Sequence, residues 1–189
     1  MHLLYICNQQ AKIVLRENYI NEDYARVRTD FYHIERKESL VSIASYCLMP
    51  NHFHLLIRET VEGGVSKFMQ KLKTAYTMYF NEKYGRRGTL FESSYKAKHI
   101  TDDVYLKYVI SYIHLNPVKL IQPSWKKDGI TDTKKTLAYL NNYHASSYID
   151  YAVNNREETN ILDKESVLRN FDGTPNFKMF VKFWLSYKE

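Results

Sequence analysis

Apolar and polar positions along the chain follow two periodicities, one near two and one near 3.6. Val41 to Met49 is a strand-like apolar stretch, and Pro50-Asn51 is typical of a turn before a second aliphatic run over His52 to Arg58. Apolar residues then recur at threes and fours from Ser66 to Tyr84 and from Asp102 to Leu115. The pattern therefore predicts an antiparallel hairpin followed by two helices.

The remaining segments carry weaker signals of the same kinds. They predict strands at 2–7 and 90–100 and helices at 19–34, 132–140, 163–171 and 177–187. The resulting fold class is α+β, with an antiparallel sheet covered by helices. The sequence turns polar after Pro123. We therefore divide the chain into a domain at 1–123 and a helical C-terminal extension at 124–189 that packs on it.

Composition limits the class of protein without choosing a function. The chain has 189 residues, 44% of them hydrophobic and 25% charged, which is ordinary for a globular domain. Lys plus Arg exceed Asp plus Glu by 27 − 21 = 6. A basic balance of this size favours polyanionic partners but does not prove one.

Cysteine usage and hydropathy predict an intracellular, cytoplasmic protein. Cys7 and Cys47 are separate and fit no metal-ligand spacing, so we expect both to be reduced core residues. No apolar stretch approaches the length of a membrane span, and no signal peptide is recognisable. We expect no membrane partner.

Two histidines open the second predicted strand. Side chains alternate across a strand, so His52 and His54 point to one face and Phe53 to the other. Neutral imidazole is the commonest protein ligand for divalent metals, so the pair is a candidate metal site. A bare His-x-His is nevertheless more often a half-buried strand with two satisfied histidines.

A tyrosine and an asparagine share a face at the end of the second helix. Thr101, Asp102 and Asp103 supply a polar, acidic start, and Pro117 predicts that the helix ends near Asn116. Tyr112 and Asn116 are four residues apart and therefore lie one above the other. A phenol can attack a phosphodiester that a metal polarises.

Both motifs resemble those of one family. The stretch from Tyr46 to Ile57 resembles the HUH signature of single-tyrosine transposases, especially the REP-associated tyrosine transposases. The stretch from Tyr112 to Lys119 is similar to their second signature, and it follows His54 by 112 − 54 = 58 residues. The resemblance covers roughly residues 3–123 and, more faintly, residues 146–171. It implies a ferredoxin-like or RRM-like core and an enzyme that cleaves and rejoins single-stranded DNA.

The same resemblance implies roles for individual residues. His52, His54 and Asn116 would hold Mg²⁺ or Mn²⁺, and Tyr112 would be the nucleophile that forms a 5′-phosphotyrosine. Tyr105 and Tyr108 lie on the same helical stripe, but Tyr112 is favoured because Asn116 lies one turn on. His114 lies two residues from Tyr112, so we expect it to be structural or solvent-facing.

Basic residues between the two motifs are candidate DNA contacts. They could solvate an outer helix face, but phosphate contact is favoured beside a phosphodiester site. The set comprises Lys67, Lys71, Lys73, Arg86, Arg87, Lys96 and Lys98. The expected partner is single-stranded or hairpin DNA, bound by a monomer or a homodimer. The alternatives are a non-catalytic RRM-like single-stranded nucleic-acid binder and a relaxase or replication-initiator nickase.

Overall fold

The computed structural model of the protein describes residues 1–11, 32 and 38–186. It confirms the predicted α+β class, with a two-stranded antiparallel sheet and helices. In chain order the elements are α1 (His2–Ile6), β1 (Val41–Leu48), β2 (Phe53–Glu59), α2 (Gly64–Lys83), α3 (Asp103–Leu115), α4 (Trp125–Asp128), α5 (Thr133–Asn142), α6 (Tyr148–Ala152), α7 (Lys164–Arg169) and α8 (Thr174–Ser186). Two 3₁₀ turns occupy Asn116–Leu120 and Glu157–Ile161. The ferredoxin-like core itself stays a prediction.

The hairpin and the later helices agree with the sequence, whereas two predicted strands are wrong. The Met49 N–H donates to the His52 carbonyl oxygen at 2.8 Å, which closes the predicted turn. Residues 2–6 of the stretch predicted at 2–7 instead form helix α1, because a short apolar run does not distinguish a strand from a helix. Residues 90–100 form no strand, and positions 92–99 are exposed, so no burial stabilises one. The helix predicted at 19–34 lies outside the described residues, Tyr32 excepted.

The chain divides into two compact units, of which the first comprises residues 1–42 and 58–99. In this unit the Asn8 side chain pairs with the backbone of Val41 at 2.7 and 2.9 Å. The Glu59 carboxylate accepts hydrogen bonds from two backbone N–H groups at the start of α2. Gly64 permits the close approach there, since a Cβ on it would collide with the carbonyl oxygen of Leu40.

The second unit comprises residues 43–57 and 100–189 and contains one hydrophobic core. Helix α3 supplies Ile110 and Leu115 to this core, and α8 supplies Phe177, Val181 and Leu185. Side chains from both sides of residue 123 therefore share one interior. The domain boundary at 123 stays a prediction.

A segment from Tyr143 to Asp163 pairs with β1 in addition to β2. Ala145, Ser147 and Asp163 exchange backbone hydrogen bonds of 2.8 to 3.0 Å with this strand. The Tyr143 and Tyr151 hydroxyls donate to further β1 carbonyl oxygens at 2.7 and 2.6 Å. The C-terminal region thus satisfies backbone groups of β1 that an edge strand would leave open.

Both cysteines are free and buried, as predicted. Burial raises the pKa of the Cys7 thiol to about 11 and that of Cys47 to about 12. Among the described residues, no helix is both long enough and apolar enough to span a membrane.

Candidate active site

The two histidines of the first motif lie side by side where β2 begins. Their ring centroids are 5.0 Å apart with the planes at 88°. His52 is exposed beside the turn, and His54 is half-buried as the second residue of β2. The shared face expected from strand alternation is confirmed.

Each imidazole keeps a nitrogen available for a ligand. The Nδ1 of His52 lies 2.7 Å from the Asn51 amide oxygen. Because that oxygen only accepts, Nδ1 carries the hydrogen in the neutral ring, and Nε2 then has a free lone pair. The Nε2 of His54 is buried and has no hydrogen-bond partner. Burial, followed by the charges of His52 and Lys119, lowers the pKa of His54, which favours the neutral form that binds metals.

Helix α3 positions Tyr112 and Asn116. The Asp102 carboxylate caps the helix by accepting from the Tyr105 N–H at 2.7 Å, and the regular helix ends at Leu115 as predicted. The Asn116 Nδ2 donates to the Tyr112 carbonyl oxygen at 2.8 Å. This bond orients the amide group and leaves the Oδ1 atom available to a ligand. Oδ1 is buried and has no hydrogen-bond partner.

The ring contacts favour Tyr112 among the three tyrosines of the stripe. Its ring lies edge-on to His54, with a centroid distance of 5.6 Å and an interplanar angle of 81°. The ring of Tyr108 packs against Trp184 of α8 at 4.9 Å, and Tyr105 stacks on Tyr108 at 5.9 Å. The ring of Tyr112 thus packs directly against His54.

The donor atoms fit a divalent metal. No cluster of three or more His, Cys, Asp or Glu side chains that could hold a metal occurs among residues 1–11, 32 and 38–186. A metal held at the candidate site would therefore depend on two imidazoles and one amide oxygen. The His54 Nε2 and Asn116 Oδ1 atoms are buried and unsatisfied, and each such atom costs about 1–3 kcal/mol unless a ligand occupies it. An imidazole and oxygen set accepts Mg²⁺ or Mn²⁺ and also transition metals.

Similarity to known proteins decides the family. Residues 1–116, more than half of the chain, match the family model of IS200-like transposases. The chain belongs to the IS200-like transposase family. It is therefore a transposase-family protein, whose general activity is DNA cleavage and rejoining and whose partner is DNA. No curated protein and no solved structure matches the chain.

In this transposase-family protein the seven predicted DNA contacts differ in exposure. Five are exposed, namely Lys67, Arg86, Arg87, Lys96 and Lys98. The other two are half-buried and bind the protein's own backbone. The Lys71 Nζ donates to the carbonyl oxygens of Gln9 and Ala11, and the Lys73 Nζ donates to that of Ser93 at 2.7 Å. All seven belong to the first unit, and their contact with DNA stays a prediction.

Two lysines that sequence reasoning missed lie over the Tyr112 ring. The Lys126 Nζ is 4.6 Å from the ring centroid, and the Lys119 Nζ is 5.8 Å from it. Lys119 ends the second motif, so its position three residues past Asn116 was a usable signal. No local signal marks Lys126, because only the tertiary placement of α4 brings it to the tyrosine.

His114 is structural, one of the two roles expected for it. The side chain is fully buried, and its Nε2 lies 2.8 Å from the Ser147 hydroxyl. Burial lowers its pKa to about 3. The neutral ring packs against Tyr148, Tyr151 and Phe177, so it belongs to the core and not to the candidate metal site.

Proposed function

We propose that the protein is a metal-dependent, single-stranded DNA endonuclease and strand transferase that acts through Tyr112. The placement of the Tyr112 ring edge-on to His54, one helical turn before Asn116, carries this proposal. This placement puts a phenol, which can serve as a nucleophile, beside the candidate metal ligands His54 and Asn116. Membership of the family supports the general reaction, DNA cleavage and rejoining, and the geometry of the candidate site supports the mechanism proposed here.

The proposed cleavage is a direct attack on phosphorus. The Tyr112 Oη forms a bond to the phosphorus atom while the bond to the 3′ oxygen breaks. The phenol loses its proton and the leaving 3′ oxygen gains one, so the products are a 5′-phosphotyrosine and a 3′-hydroxyl. Attack by the 3′-hydroxyl of a second strand reverses the step. Because one phosphodiester replaces another, the exchange needs no external energy source.

The ligand residues would prepare the phosphate for this attack. His52, His54 and Asn116 would hold Mg²⁺ or Mn²⁺, which when bound supplies Lewis-acid polarisation of the phosphate. Asn51 fixes the His52 tautomer, and the lowered pKa of His54 keeps that ring neutral. The Asn116 amide is oriented by its bond to the Tyr112 carbonyl, which couples the nucleophile's helix to the ligand set.

The proposed substrate is single-stranded DNA, or a DNA hairpin with a single-stranded flank. A perfect duplex hides its bases and holds its backbone in a geometry poorly suited to attack by a side chain on a helix. The exposed basic residues of the first unit would contact phosphates. Exposed aromatic side chains there, including Tyr76, Tyr79 and Tyr84, could stack unpaired bases.

A covalent-adduct gel tests the proposal. The wild-type protein is incubated with a labelled single-stranded library in Mn²⁺ and resolved under denaturing conditions. We expect a shifted adduct that disappears in Tyr112→Phe, since the change removes the attacking oxygen and little volume. Tyr108→Phe is the matched control and should retain the adduct. An adduct that survives Tyr112→Phe and is absent in Tyr108→Phe would show that the nucleophile is misassigned.

A further inference from the structure

Two ammonium groups converge on the ring of Tyr112 from different elements. Lys126 projects from helix α4 and Lys119 from the 3₁₀ turn that follows α3, and both side chains are half-buried. The charge of Lys119 also reaches His54, where it contributes to lowering the pKa. Two like charges are thus held 4.6 and 5.8 Å from the centre of the ring that carries the proposed nucleophile.

These charges lack an anionic partner in the part of the chain that the structure describes. Neither Lys119 nor Lys126 forms an ion pair there, and their Nζ atoms make no hydrogen bond. The carboxylate of Asp128, on the same helix as Lys126, accepts from the Ser124 hydroxyl instead. The face of the Tyr112 ring attracts both cations but does not neutralise their charge, so an anion bound beside them would be stabilised.

We propose that Lys119 and Lys126 form a phosphate-binding pair that contacts the DNA backbone at the linkage attacked by Tyr112. This inference rests on the proposed function, because it assigns the anion to the strand that Tyr112 joins. A lysine head on a flexible stem can leave the ring face and reach the phosphate when DNA enters. The pair would neutralise charge that grows on the phosphate during attack and would hold the phosphotyrosine afterwards.

The first test is a binding footprint that needs no cleavage. The Tyr112→Phe variant is treated with an amine-acetylating reagent in the presence and absence of an oligothymidine of about 20 nucleotides, long enough for one single-strand binding site, and each lysine is quantified by mass spectrometry. We expect DNA to protect Lys119 and Lys126 by at least about threefold. Lys127, the exposed neighbour on the same helix, is the internal control and should stay reactive. Equal modification of Lys126 with and without the oligonucleotide overturns the assignment.

The second test is the rate of adduct formation in single-turnover conditions. Removal of one group that stabilises developing charge costs about 10²–10³ in rate when the site is closed. For a half-buried lysine we expect a loss of at least about tenfold in Lys126→Gln, with most of it restored in Lys126→Arg. Lys127→Gln should stay within about twofold of the wild type. Divalent-metal affinity should be unchanged in Lys126→Gln, which separates phosphate binding from damage to the ligand set.

The outcomes separate this inference from the proposed function. If Tyr112 forms the adduct and both lysine tests are negative, the phosphate pair is wrong and the nucleophile stands. If no adduct forms at Tyr112 while Lys119 and Lys126 are protected, the pair binds DNA but the assigned chemistry is wrong.

Discussion

The buried ion pair between Arg156 and Asp150 gives the sharpest test of how the fold supports the site. Arg156 donates to both carboxylate oxygens of Asp150, at 2.9 and 2.8 Å, from a position only 13% exposed. The same guanidinium donates to the carbonyl oxygens of His144 and Ser146 and to the Tyr46 hydroxyl. It therefore joins the C-terminal segment to β1, the partner of the strand that carries His54.

Arg156→Met should destabilise the protein strongly. The Asp150 side chain has no exposed surface, so removal of Arg156 leaves a buried carboxylate whose other side-chain donor is Thr159, at 2.9 Å. Breaking a buried pair by removing one partner costs about 3–5 kcal/mol. Native proteins are stable by only about 5–15 kcal/mol, and each kcal/mol shifts Tm by about 2–4 °C in a chain of this size. We therefore expect Tm to fall by roughly 6–20 °C.

Urea and thermal unfolding followed by circular dichroism measure this loss of stability. Arg169→Met is the matched control, since Arg169 is exposed and bonds only locally to the Ser166 hydroxyl. It should stay within about 0.5 kcal/mol of the wild type. Replacing Arg156 and Asp150 together by apolar residues should cost less than the sum of the single changes, because neither charge is then left buried alone. A loss of stability below about 1 kcal/mol in Arg156→Met, or an equal loss in Arg169→Met, refutes the reasoning.

Three further outcomes follow from the site and the core. Substituting His52 and His54 by Ala should lower Mn²⁺ affinity in calorimetry by at least about tenfold, and unchanged affinity in that double variant contradicts the metal assignment. Removing Arg86 and Arg87 should flatten the salt dependence of single-stranded DNA binding by about 0.7 in log–log slope for each phosphate that is no longer bound, and an unmoved slope counts against their role. Truncation after Pro123 should give a chain without a cooperative unfolding transition, and a stable, folded fragment would show that the C-terminal region is dispensable.

The sequence predicted correctly those elements in which the apolar spacing and the capping or turn residues indicate the same structure. Helix α3 has apolar spacing over its full length, an Asp102 cap at its start and Pro117 just past its end, and its bounds fall within one residue of the prediction. The hairpin likewise has two apolar runs around Pro50-Asn51. Residues 2–7 carried only a short apolar pattern, with no cap or turn signal. A helix buries the same apolar side chains and satisfies its backbone with local hydrogen bonds.

The candidate site divides in the same way. His52, His54, Tyr112 and Asn116 could be predicted because strand and helix periods fix which side chains share a face, and the structure confirms those pairings. Which tyrosine packs against a histidine depends on how α3 meets β2, and spacing along the helix does not contain that information. Lys126 depends on a still longer-range placement, so no sequence pattern could join it to the tyrosine.

The C-terminal region is part of what positions the candidate site. The His54 strand pairs with β1, and β1 in turn is bonded along its length by residues between Tyr143 and Asp163. The helix of Tyr112 buries apolar side chains against α8, whose Phe177 and Val181 are fully buried. Each large apolar side chain that lost this cover would cost about 1.5–3 kcal/mol, so several of them together are comparable with the whole stability of a domain. The matched family region ends at residue 116, yet both elements that carry its candidate site rest on residues that follow it.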